Sequence, residues 1–76
     1  MRFDEAMKEM LDEYELAVDH FGPFRSMHEG ISVIREEFEE LWDEIKGNQD
    51  GVRIKDEAKQ LAAMALRFII DFGKNE

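Results

Sequence analysis

The chain has no cysteine and a single proline among its 76 residues. Without cysteine there is no disulfide framework and no thiolate metal site. Long apolar runs are also missing. The longest uninterrupted stretch, Leu61 to Leu66, falls far short of the ~20 residues that cross a bilayer. Basic side chains are scarce, 10 Lys and Arg against 19 Asp and Glu, for a formal net charge of −9. Nucleic acid and anionic membrane surfaces both recruit lysine and arginine, so this balance argues against either as a partner. The charged start Met1-Arg2-Phe3-Asp4-Glu5 has no signal-peptide core, and the cytoplasm is the expected location.

The remainder suits one helical domain over residues 1–76, with 43% apolar and 38% charged residues. A chain this short buries only about 60% of its unfolded surface when it folds alone. Small domains without covalent staples gain core by association, so a homodimer or homotetramer is expected. Phe3, Met7, Met10, Leu11, Tyr14, Ala17, Val18 and Phe21 step by three and four, which predicts a helix from about Phe3 to about Phe21. Gly22-Pro23 ends it. Ser26 and Glu29 form an S-x-x-E capping box that starts a second helix. Its apolar stripe is Ile31, Ile34, Phe38, Leu41, Trp42 and Ile45. Gly47 to Gly51 then breaks the pattern, and so short a connection implies antiparallel neighbours. The third helix runs from about Val52 to Phe72, with its main stripe on Ile54, Ala58, Leu61, Ala65, Phe68, Ile69 and Phe72. It is apolar nearly all round and needs more than one neighbour. The predicted class is all-α, a three-helix chain that forms an oligomeric helical bundle.

Six carboxylates fall within nine residues, at Glu36, Glu37, Glu39, Glu40, Asp43 and Glu44. At ~100° per residue, Glu37, Glu40 and Glu44 gather to one side of the apolar stripe, while Glu39 and Asp43 face away. On the third helix Glu57 and Gln60 hold the corresponding offset. For antiparallel helices with the turn centred near Asn48 and Gln49, Glu40 comes level with Glu57 and Glu37 with Gln60. The sequence therefore predicts three carboxylates and one amide between two helices. Such a cluster repels itself and loses hydration unless a cation occupies it. Hard oxygen ligands suit Mg²⁺ or Mn²⁺. Bound Mg²⁺ commonly recruits phosphate oxygens, which points to metal-assisted attack of water on a phosphoryl group. The plainer reading of an acidic run is a solvated helix face.

Glu37-x-x-Glu40 followed by Glu57-x-x-Gln60 resembles the E-x-x-E…E-x-x-D arrangement of the MazG-like all-α nucleoside triphosphate pyrophosphohydrolases. Glu36-Glu37-Phe38-Glu39-Glu40 is similar to that group's E-E-x-x-E form. His28-Glu29-Gly30, Glu40 to Glu44 and Ala62 to Phe68 extend the resemblance over roughly Phe21 to Asp71. It implies Mg²⁺-dependent hydrolysis of a nucleoside triphosphate to the monophosphate and pyrophosphate, by dimers or tetramers whose protomers share a helical bundle. It also implies Glu37, Glu40 and Glu57 as metal ligands, with Gln60 at the fourth position. Glu36, the first acid of that form, is then expected either to support the ligands from behind or to orient the attacking water. Gln60 departs from the family's aspartate: an amide oxygen can coordinate Mg²⁺ but brings no charge. Two rival readings stay open, a nucleotide- or metal-binding module without turnover and a structural helical oligomer.

Overall fold

The computed structural model describes residues 1–47 and 49–75. It consists of three helices, α1 (Phe3–Phe21), α2 (Met27–Lys46) and α3 (Gly51–Phe72), with no strand among the described residues. The helix ends follow local chemistry. Ser26 caps α2, its Oγ accepting from the Glu29 backbone N–H at 3.0 Å. The Glu29 carboxylate reaches back to the Arg25 N–H at 3.1 Å, one residue earlier than a capping box usually places it. Asp50 caps α3 by accepting from the N–H groups of Val52 and Arg53, a role unmarked in the sequence reading. The turn ahead of it was expected to centre on Asn48 and Gln49. Asn48 lies outside the described residues, and Gln49 has a left-handed backbone, φ 54°.

Helix α3 is the axis of the fold. Both α1 and α2 pack on it, and among the described residues α1 and α2 have no Cα atoms within 8 Å of each other. The antiparallel run of α2 against α3 is fixed at its far end by a close approach at Gly30, where an added Cβ would stand 2.7 Å from the Phe68 ring. At the near end Arg53 of α3 pairs with Glu44 of α2. The splayed outer helices leave the molecule open. Its radius of gyration is 13.0 Å, against about 11.4 Å for a compact domain of this length.

The core is correspondingly small: Ala17, Phe24, Ala63 and Met64, flanked by Tyr14, Val33, Ile34, Phe68 and Phe72. Two polar side chains of α3 clamp the α1–α2 connection onto it. Asp71 accepts from the Phe24 backbone N–H at 2.9 Å. Arg67 is only 4% exposed. It donates to the Gly22 carbonyl at 2.8 Å, and its guanidinium lies 4.0 Å from the centre of the Phe24 ring. Gly22 itself is left-handed, φ 70°, where glycine carries no steric cost.

The face that α2 buries differs from the one its apolar residues suggest. Gly30, Val33, Ile34, Glu37, Leu41 and Glu44 turn inward, whereas Ile31, Phe38, Trp42 and Ile45 are exposed. The stripe was centred on Ile34; the helix is rotated so that its acids share the α3 side and part of its grease faces out. At the α1–α2 connection Phe24 is buried and Phe21 exposed. Among the described residues no helix is long and apolar enough to cross a membrane.

Candidate metal centre

The α2–α3 interface is a ladder whose rungs follow from the antiparallel register. One rung joins Glu40 to Glu57 through a side-chain hydrogen bond, and toward the Gly30 end Glu37 and Gln60 line one groove. Carboxylate oxygens of Glu37, Glu40 and Glu57 all lie within 4.8 Å of one another. Glu37 and Glu57 are half-buried between the helices, and Glu40 stands at the exposed mouth. The three acids expected to converge therefore do so.

Their protonation reflects that crowding. Burial is the largest cause that lifts the Glu37 carboxyl, to about 7, followed by the charges of Glu40 and Glu57, a hydrogen bond with Glu40 and the charge of Glu36. The Glu57 carboxyl is also raised, first by burial and then by a hydrogen bond with Glu40 and that group's charge, with Arg53 pulling the other way. Hence Glu37 and Glu57 hold protons where isolated carboxylates would be ionised. Even so, Glu37 Oε2 and Glu57 Oε2 are buried without a hydrogen-bond partner. Unpartnered buried carboxylate oxygens are costly. An oxygen-seeking cation would satisfy both at once, so the donor set fits Mg²⁺ or Mn²⁺.

Gln60 and Glu36 border the trio without joining the three acids. Both line, with Glu37, an open groove of about 820 Å³ between α1 and α2 whose wall includes Phe24, Arg25 and Arg67. Gln60 is half-buried and Glu36 exposed. The groove is within the ~300–1,000 Å³ range of small-molecule sites.

The basic side chains of α2 and α3 scatter. Lys55 faces Glu9 of α1 at 3.5 Å. Lys59 is only 22% exposed and pairs with Asp56, beside α1 residues Phe3, Met7 and Met10. Lys46 lies 5.5 Å over the Trp42 ring, and Arg67 is committed to the core. Arg53 alone among them acts on the trio, through Glu57. Glu44, which the register sets level with Arg53, has its Oε2 3.4 Å from Arg53 Nε and a side chain only 8% exposed. Its position four residues beyond Glu40 on the same helix face is the sequence signal for that placement.

Comparison with protein-family models, with curated proteins and with solved structures finds no match for this chain.

Proposed function

We propose that the protein is a Mg²⁺-dependent nucleoside triphosphate pyrophosphohydrolase that releases the monophosphate and pyrophosphate. The observation that carries this reading is the convergence of the Glu37, Glu40 and Glu57 oxygens, two of them buried without a partner. The resemblance of the same residues to the MazG-like acid motif supports it. Glu37, Glu40 and Glu57 would hold the metal, with the Gln60 amide as a neutral neighbour. When bound, the ion supplies neutralisation of phosphate charge and activation of water. Glu36, exposed and lining the same groove as Glu37, would orient that water by accepting its hydrogen bond. The groove beside Glu37 offers room for the nucleoside.

A homodimer or homotetramer belongs to this proposal, with a second copy as the occupant of α2's outer face. Ile31, Phe38, Trp42 and Ile45 line that face and are between 39% and 56% exposed. Among the described residues no large side chain is fully buried, so a second copy would add the burial a chain of this length lacks. Gln60 favours one rival, a nucleotide-binding module on the same scaffold that does not turn over, because a neutral ligand weakens the grip on the ion.

Incubation with a panel of NTPs and dNTPs plus Mg²⁺, with pyrophosphate as the readout, decides between them. Release that disappears in Glu40→Gln supports hydrolysis. Nucleotide binding without release from any member of the panel supports the rival.

A further inference from the structure

The acidic interface does not stop at the trio. One helical turn nearer the α2–α3 connection, ~5.4 Å along the axis, lies the Glu44–Arg53 rung. Glu44 is buried, yet it has a single charged contact, 3.4 Å from one oxygen to Arg53 Nε. Its other oxygen, Oε1, is buried with no hydrogen-bond partner among the described residues. A desolvated carboxylate ordinarily gathers two or three donors. The neighbouring rung presents two further carboxyls, Glu40 and Glu57, and no cation. Orphaned oxygens therefore occur on both sides of the Glu40–Glu57 rung, at Glu37 on one side and Glu44 on the other.

We propose that Glu44 is a cation ligand, holding a second divalent ion together with Glu57 at the turn end of the centre. The inference rests on the reading of Glu37, Glu40 and Glu57 as a metal site. Three carboxylates and an amide leave two divalent ions under-neutralised, and Glu44 provides the missing fourth negative charge. Glu44 thus compensates for Gln60 from the opposite end of the cluster. The spacing of one turn is compatible with ion pairs, which sit ~3.5–4 Å apart with shared ligands between them. Arg53 is the placeholder. Its side chain is 62% exposed, so it can release Glu44 to an incoming ion and extend toward solvent, where an anionic ligand on that ion would meet it.

Mn²⁺ titration of the full chain, followed by the electron paramagnetic resonance signal of free Mn²⁺, tests this with metal alone. The wild type is expected to bind two ions per chain, and Glu44→Gln one. Arg53→Gln is expected to retain two, with the weaker ion held roughly 3- to 5-fold tighter once the competing charge is gone. One ion in the wild type, unchanged by Glu44→Gln but lost in Glu40→Gln, overturns the role of Glu44 and leaves the trio standing. Loss of thermal stability in Arg53→Gln with an unchanged weaker site also overturns it, since Glu44 would then be only an ion-pair partner. No binding in the wild type overturns both readings.

Discussion

Raising the pH in the presence of a chelator is expected to loosen the folded chain, and Glu37 is the main reason. Its carboxyl is raised from 4.5 to about 7, chiefly by burial and then by the charges of Glu40 and Glu57. The folded chain therefore keeps a proton that the unfolded chain gives up across that interval. The stabilisation is fully present below about 4.5 and is lost as the pH rises through about 7. A shift of that size corresponds to ~3.4 kcal/mol at most. Because Glu37 is half-exposed, water screens it, and the realised loss is on the order of 1–2 kcal/mol. For a domain of this length that is a fall in Tm of roughly 5–15 °C. Melting curves by circular dichroism at pH 5.5 and 8.5 measure it, with Glu37→Gln as the control. The variant carries every other titrating group, so the difference between the two chains isolates Glu37. Saturating Mg²⁺ should restore the wild type more at pH 8.5 than at 5.5, because ion and proton compete for the same oxygens. Equal pH slopes in wild type and variant would refute the reasoning.

Other expectations follow from the packing and the surface. Gly30→Ala should destabilise the fold by about 1 kcal/mol net, because overpacking against the Phe68 ring outweighs the helix-propensity gain. At Gly51 an added Cβ would meet nothing within 4 Å, so Gly51→Ala should instead stabilise by ~0.4–1 kcal/mol. Urea denaturation reads both. Asp71→Ala leaves the Phe24 N–H without its acceptor and should cost ~1–3 kcal/mol in the same measurement. Trp42→Glu puts charge on the exposed face of α2 and should shift the chain toward monomer in light scattering. An unchanged mass would mean that this face is not where copies meet.

Much of the fold is legible in the residues because its punctuation is local. Gly22-Pro23, the Ser26 cap and the polar break after Lys46 set the helix limits within a residue or two. The register is legible for the same reason: a short turn leaves antiparallel helices little freedom, so Glu40 and Glu57 meet. What could not be read was the rotation of α2. Ile31, Ile34, Phe38, Leu41, Trp42 and Ile45 form an apolar arc wider than one neighbour covers, and periodicity does not say which edge faces α3. The choice falls where Gly30 admits the Phe68 ring. That rotation buries Glu44, which periodicity left at the rim. The clamps from Arg67 and Asp71 were illegible too, because they depend on where the α1–α2 connection folds back over α3.

The central claim is that two antiparallel helices direct Glu37, Glu40 and Glu57 at a shared divalent ion. A crystal soaked in Mn²⁺, with diffraction collected at the manganese edge, tests it most directly. An anomalous peak between α2 and α3, within bonding reach of all three carboxylates, is the expected result. An empty map there, with the three side chains turned separately into solvent, would contradict it.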